Sequence, residues 1–532
     1  MTDVSSDPHA VGMSESQVMT RPRAARASGC RAALGVWVEA RALFIVAVSV
    51  VIVLSLLGIP NHFSQDGWLA LNAGREIAAH GIPHRDYFTH MAYGVRWVDQ
   101  QWLAQLLMYE LERLGGMQML TVVYVLITGA AFATGVGAAR ALGGEDLHVL
   151  TALVPGAFFY LVTAVSIRTQ GLAYPLFVAT LWLLAAETRS PVRRRRVYWV
   201  FPALLLWANV HGSVTMGVGL ACLYGLTLLI NDVREHGASG FKDIRAWTFV
   251  LASPLTLLAT PYGTSIIHYY GVTLMNSQFG RLVSEWKPVS SVPILAVPLL
   301  VVMAATLYTI VRAILSARSR GARTTPLFDV LVLVALAVGA ITAVRNITWF
   351  GLALVVLLPA ALSQMKGGGP APLRRARINL VFAVALAAIA VLGSVVVLGR
   401  PDAWFTSTYP VKAIPTLRAL VAAKPRVKIY ADVRYADWLI WEDPNTFSGR
   451  LAYDTSLELL TPSQLNAIAD PAAGPRDGPK ALLQPYGIWV LYPGNKSVVH
   501  KLLRRPGVRV VTRNAKMIIA THPVSAGTGA SA

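Results

Sequence analysis

Three acids, Asp66, Asp86 and Asp99, fall in one polar stretch between residues 61 and 116, accompanied by Trp68, His84, Arg85, Trp97 and Trp102. A carboxylate held near a bilayer surface can take a proton from an attacking hydroxyl. It can also help hold a divalent cation that neutralises a departing phosphate. Asp66 comes soonest after the first apolar run, so its depth suits either task. Plainer roles exist for each acid. Asp66 and Asp99 each precede a predicted helix and could cap it. Asp86 follows His84-Arg85 and could pair with a neighbouring arginine.

Two helices must position these acids. Residues 67–80 place Leu69, Ala73 and Ile77 on one stripe and stop at Gly81, with Pro83 beyond. Residues 100–114 carry Trp102, Leu103, Leu106, Leu107, Leu111 and Leu114 on one face, and Gly115-Gly116 ends them. Both patterns predict helices lying along a membrane surface with apolar faces down. Loops longer than about 15 residues are functional or disordered. The tryptophans and amphipathic patterns here argue against disorder.

The surrounding chain is a membrane protein by composition. It is 55% hydrophobic and 14% charged, with a mean hydropathy of +0.53, against about 25% charged residues in soluble domains. Apolar runs at 42–60, 117–139, 148–166, 171–187, 197–210, 213–230, 248–262, 292–311, 327–343, 347–363 and 379–398 predict about eleven transmembrane helices. The net charge of +20 resolves into clusters. Arg21, Arg23, Arg26, Arg31 and Arg41 precede the first run, and Arg189 and Arg193 to Arg196 follow the fourth. Arg312, Arg318, Arg320 and Arg323 follow the eighth, and Lys366, Arg374, Arg375 and Arg377 the tenth. Alternation places all of them on one side, which the positive-inside rule makes the cytoplasm. The charge therefore reads as orientation and lipid contact, not nucleic-acid binding. The expected layout is a disordered cytoplasmic tail at 1–41, a transmembrane domain at 42–398 with the exterior loop 61–116, and an extracytoplasmic domain at 399–532. The first run reads as a retained anchor in a cytoplasmic (inner) membrane. Cys30 and Cys222 fall on different segments, so neither a disulfide nor a cysteine metal site is expected.

Polar residues at or near the exterior ends of spans are functional candidates. Asn209 and His211 sit at a bend that Gly212 permits. A hairpin turn with a hydrogen-bonded histidine is one reading of the bend; contact with a lipid phosphate or sugar is the other. Arg168 and Arg345 lie on the side that the positive-inside rule disfavours for arginine. Either could fork onto a phosphate, or form a salt bridge to Glu285 or Asp86. The segment 263–291 carries His268, Tyr269, Tyr270, Arg281, Glu285, Trp286 and Lys287. Its aromatics suit an interfacial belt or a stack on a sugar ring, and Glu285 with Trp286 is the candidate acceptor contact.

Several short runs resemble the GT-C glycosyltransferases and a broad group of bacterial GT-C-like membrane proteins. They are Asp66-Gly67-Trp68, Gly74, Gly81-Ile82-Pro83, Asp86-Tyr87-Phe88-Thr89, Trp97, Trp102-Leu103, Asn209-Val210-His211-Gly212, Pro261-Tyr262-Gly263, Glu285-Trp286 and Arg345-Asn346. The resemblance implies a many-span helical fold and transfer of a sugar from a polyprenyl-phosphate donor to a hydroxyl on the exterior face. It implies Asp66 as catalytic base and Asp86 as a second loop carboxylate, with Mg or Mn as the possible divalent cation. GT-C enzymes often carry two adjacent acids in this loop. Here Gly67 follows Asp66, so the base role rests on one residue. The alternative function is a non-catalytic glycolipid-binding or scaffold protein of the cell envelope. A transporter is disfavoured by the absence of repeat halves.

Beyond Arg400 the pattern changes to alternating helices and strands. Helices are expected at 409–423, 434–441, 457–469 and 497–504. Strands are expected at 427–431, 488–492, 508–512 and 516–521. This predicts a small α/β domain, in which Asp432, Trp438, Trp441 and Asp454 could line a groove, although packing is the plainer role for the tryptophans.

Overall fold

The computed structural model describes residues 42, 44–58, 63–275, 278, 282–322, 324–366, 376–469 and 485–523. The expected tail at 1–41 with Cys30, Arg281, Arg323, Arg374, Arg375 and the chain end from Ser525 lie outside these residues.

The chain is a helical, multi-pass membrane protein. Among the described residues, seven helices are long and apolar enough to cross a bilayer: Trp102–Ala141, Asp146–Ala164, Thr169–Thr188, Val214–Lys242, Pro293–Ser319, Val344–Met365 and Leu380–Leu398. Phe44–Leu57, Ile244–Leu258 and Leu327–Thr342 are apolar but shorter, and Val200–Val210 has 11 residues. All eleven expected spans fall on helices. Eleven residues rise only about 17 Å, so Val200–Val210 cannot cross a core of about 30 Å. It forms the short arm of a hairpin with Val214–His236, turning at His211 to Ser213.

The bundle closes around Ile347–Lys366, whose apolar window is 83% buried, whereas that of Leu380–Leu398 is 17% buried. Two glycines let the central helix approach Asp146–Ala164. A Cβ on Gly351 would lie 2.8 Å from the Gly156 carbonyl oxygen, and one on Gly156 would lie 2.4 Å from Val355. Small residues are what bring membrane helices together where apolar burial offers no drive. Gly351→Leu should therefore force the pair apart. The expected result is a fall of several degrees in the unfolding temperature in detergent, consistent with an overpacking cost of about 1–3 kcal/mol. An unchanged unfolding temperature would refute the contact.

The first long loop folds onto the C-terminal part. Helix Gln65–His80 packs against the start of Trp102–Ala141 through Gly74, where a Cβ would sit 2.2 Å from the Gln105 carbonyl oxygen. The 40-residue helix breaks at Gly115 and Gly116; Gly116 has φ +68°, a conformation glycine allows. The expectation of a membrane-surface helix at 67–80 is corrected here. Trp68, Leu71 and Ala73 are buried by protein, with the Trp68 ring 4.4 Å from Phe63 and 5.6 Å from Tyr409. Arg75 donates to the carbonyls of Ile440 and Trp441, at the C-terminal end of helix Val433–Glu442, where a cation is favoured.

The C-terminal part holds a four-stranded sheet: β1 (Ile429–Ala431), β2 (Ile488–Leu491), β3 (Arg509–Arg513) and β4 (Ile518–Thr521), in the order β1-β2-β4-β3. Strands β1 and β2 are parallel; β2–β4 and β3–β4 are antiparallel. Helices Ile414–Ala423, Val433–Glu442, Pro462–Ala469 and Lys496–Leu503 surround it. Trp438 is fully buried and stacks on Tyr409, and Trp441 lies beside Trp68 and Tyr109. Both tryptophans pack. The first loop and the sheet share one hydrophobic core, which runs from Phe63, Trp68 and Trp97 to Trp438, Ile488 and Ile519. Extended residues 88–91 also pair with 449–452: His90 N–H donates to Leu451, Met91 N–H to Ala452, and Gly449 N–H to Phe88.

Candidate active site

Gly67 sets the site. A Cβ there would lie 2.6 Å from the Ile167 carbonyl oxygen. Its absence lets the first turn of Gln65–His80 lie against residues 166–168, where Phe63 bridges Ile167 and the Ser166 hydroxyl meets Ser64 at 3.0 Å. Asp66 and Arg168 are thereby brought together. Gly67→Val should separate them and cut any activity at least about tenfold, the scale on which small misplacements act. Equal activity at equal membrane level would count against this positioning.

Arg168 Nη1 donates to Glu285 Oε2 at 2.7 Å and to Asp66 Oδ2 at 3.5 Å. Its Nε and Nη2 are buried without a partner. Glu285 sits on the turn Ser284–Trp286, and Val344 N–H donates to the Lys287 carbonyl, which seats Arg345 nearby. The Arg345 guanidinium lies 4.3 Å above the Trp286 ring. Residues far apart in the sequence thus form one cluster of two carboxylates and two guanidiniums.

The Asp66 side chain is 51% accessible to solvent. The surrounding protein nonetheless raises its carboxyl above the ordinary value; Arg168 pulls it back, Glu285 pushes it up again, and Arg345 lowers it. Burial also opposes ionisation of Glu285, but Arg168 and Arg345 hold it below the usual range. For Glu285 the direct ion pair wins; for Asp66, with its longer contact, burial wins.

His211 is held by its own turn. Ser213 N–H donates to Nδ1 at 3.0 Å, so the neutral ring carries its proton on Nε2. Burial, then the Arg345 and Arg168 charges, lower its pKa well below the ordinary value. The hydrogen-bonded turn is as expected, and the two arginine charges act on the same ring. Asn209 is not brought to the cluster. Its Nδ2 donates to the carbonyls of Leu205 and Ala259, and its Oδ1 accepts from Trp102 Nε1. These contacts tie the hairpin to the first loop.

The other loop acids sit apart from Arg168. Asp86 is buried, and its oxygens accept from Phe88 N–H, Thr89 N–H and the Thr89 hydroxyl. It does not pair with Arg85, which donates to the Gly94 carbonyl. Burial pushes Asp86 up to about 6 and Asp99 up to about 8. Neither Asp66 nor Asp99 is a helix cap: the cap positions are Ser64 and Gln101. Glu285 and Trp286, expected at an acceptor, contact the two arginines.

The fold has solved counterparts. ArnT from Cupriavidus metallidurans in the apo state superposes with a TM-score of 0.50 at 15% identity, over 94% of this chain and all of that one. The chain has a GT-C-like fold. ArnT bound to undecaprenyl phosphate gives a TM-score of 0.47 at 14% identity, over 92% of this chain and 99% of that one. The Archaeoglobus fulgidus oligosaccharyltransferase in the apo form gives 0.45 at 11%, over 84% and 69%. No family model and no curated protein sequence matches.

Within this GT-C-like frame, two residues that the sequence did not single out face the first-loop acids. Glu458 is pushed up to about 7 by burial, with Asp66 and Asp86 adding to it, and burial pushes Asp437 up to about 8. Their signal in the sequence is faint, an acid on a helix and an acid on a short turn. The donor set at Asp66 does not suit the divalent cation expected there. Its Oδ2 faces a guanidinium, and the next cation is a second guanidinium, Arg345.

Proposed function

We propose that this chain is a glycosyltransferase moving a sugar from a polyprenyl-phosphate donor to an acceptor hydroxyl at the exterior face of the cytoplasmic membrane. The observation that carries the reading is the Asp66–Arg168–Glu285 cluster with Arg345 beside it. Among the described residues Arg168 keeps its buried Nε and Nη2 without a partner after pairing with both acids, and a guanidinium edge suits a phosphate oxygen pair. Arg345 stands over Trp286 and, among the described residues, forms no ion pair, which leaves a second site of positive charge for a leaving phosphate. Asp66, half-accessible and raised by its surroundings, is placed to accept the proton of the attacking hydroxyl. As the hydroxyl oxygen attacks the sugar carbon, the bond to phosphate breaks and the pair of arginines takes the charge of the released lipid phosphate. The neutral His211 offers an Nε2–H donor near the same arginines. The likeness in fold to ArnT supports this class of reaction.

The test is a deletion strain profiled for lipid-linked sugars and envelope glycans. A donor should accumulate and one glycan should lose a sugar, and the wild-type gene should restore both. If the profile is unchanged, the alternative of a non-catalytic glycolipid-binding protein is favoured.

A further inference from the structure

Asp437, Asp454 and Asp86 meet where the first loop joins the C-terminal part. Asp437 lies on Val433–Glu442, whose backbone is tied to the loop helix by Asn72 Nδ2 donating to the Asp437 carbonyl at 2.8 Å. Asp454 follows the 449–452 segment that pairs with residues 88–91, and that pairing carries Asp86 toward it. Thr455, next to Asp454, donates through N–H and hydroxyl to Asp437 Oδ2. Ser456 N–H donates to Asp454 Oδ1 at 2.8 Å. The three residues are 1%, 3% and 1% exposed respectively.

Each remaining oxygen of the pair, Asp437 Oδ1 and Asp454 Oδ2, is buried without a hydrogen-bond partner. Among the described residues none of the three acids forms an ion pair. Burying charge without a countercharge is costly. Protons could remove the charge, but a protonated carboxyl must donate its O–H. The other two oxygens already accept N–H groups, so a proton could be shared only between the two free oxygens, and one shared proton leaves a negative charge buried. Water would satisfy the oxygens but leave the charge. Burial and the mutual Asp437, Asp454 and Asp86 charges all disfavour ionisation of Asp454, which states the same conflict.

We infer that Asp437 and Asp454 bind a divalent cation through these free oxygens, with Asp86 adding a third negative charge, and that the cation clamps the first loop to the C-terminal part. No three acids here bring ligand atoms within 4.8 Å of one another; that arrangement occurs among the described residues at Asp232, Glu235 and His236, on another part of the chain. Two carboxylates plus retained waters suit Mg2+, which dehydrates reluctantly. This site excludes Asp66 and stands whether or not the chain is a transferase.

Mn2+ serves as the probe, titrated into purified full-length protein and followed by electron paramagnetic resonance of the free ion. One bound ion is expected. Its affinity should fall at least tenfold in Asp437→Asn and Asp454→Asn, and stay unchanged in Glu235→Gln and Asp66→Asn. Equal affinity in both cluster variants, or loss in Asp66→Asn or Glu235→Gln instead, overturns the assignment. The unfolding temperature of the wild type gives a second reading that needs no variant. It should rise with Mg2+ or Mn2+ and drop back with chelator; an unmoved value overturns the clamp, as does Asp454→Asn melting higher than wild type without metal.

Discussion

Asp66→Asn is expected to lower turnover by about 10²–10⁴-fold, the range over which a positioned base acts, with membrane level and donor binding unchanged. Asparagine keeps the shape of the side chain and its contact with Arg168 but cannot take a proton. The Asp66 carboxylate is half-accessible and lies at the start of a helix whose core contacts are made by Trp68 and Leu71, so the substitution touches no packing. A pH profile separates a base from a mere contact. The protonated acid is inactive, and its carboxyl is raised by the surrounding protein. Activity of the wild type should therefore fall as pH drops, with the limb above the ordinary carboxylate range, and Asp66→Asn should lack that limb. Equal turnover in Asp66→Asn would remove the catalytic assignment while leaving the fold untouched.

Much of this was legible before the structure, and the reason is physical. Transmembrane helices must satisfy their own backbone, so an apolar run of sufficient length has one outcome. The break at Gly115-Gly116 was equally readable, because no other residue pair ends a helix so cheaply. In the C-terminal part, turn chemistry and alternation located β1, β2 and the helix at Val433–Glu442. What did not follow was the partner of each apolar face. The stripe of Gln65–His80 reads the same whether lipid or protein covers it, and only the distant residues Tyr409, Trp438 and Trp441 decide. The same holds for the site. Arg168 and Glu285 were candidates, and their pairing was one of two readings; choosing between them needs the close approach that Gly67 permits. Asn209 shows a use that spacing does not encode. A polar residue at a bend in a hydrophobic hairpin looks functional, yet its three hydrogen bonds to Trp102, Leu205 and Ala259 are a structural use that sequence spacing cannot reveal. Asp437 was missed because a single acid on a soluble-looking helix ordinarily faces water.

Arg168 should show a different signature from Arg345, and the contrast is the sharpest test of the cluster. Arg168→Gln leaves Asp66 and Glu285 facing one another without their shared cation. Removing one partner of a fully buried pair costs about 3–5 kcal/mol. Here the acids are 51% and 36% accessible while Arg168 is 7% accessible, so solvent screening reduces the expected loss to about 1–3 kcal/mol. Turnover should fall at least about a hundredfold, because the free Nε and Nη2 edge is lost along with the positioning of Asp66. Arg168→Lys should not rescue it: an ammonium can take the place of Nη1 between the two acids, but it lacks the planar Nε and Nη2 edge left for phosphate. Adding Glu285→Gln to Arg168→Gln should recover stability, since the orphaned repulsion goes, yet recover no activity. That non-additivity is the mark of direct coupling. Arg345→Gln removes a guanidinium that lies over the Trp286 ring and, among the described residues, forms no ion pair. It should weaken donor binding, seen as a raised KM, with little change in unfolding temperature. If the two arginines behave alike in both measurements, the division of labour drawn from Arg168 bridging two acids while Arg345 stands free is wrong.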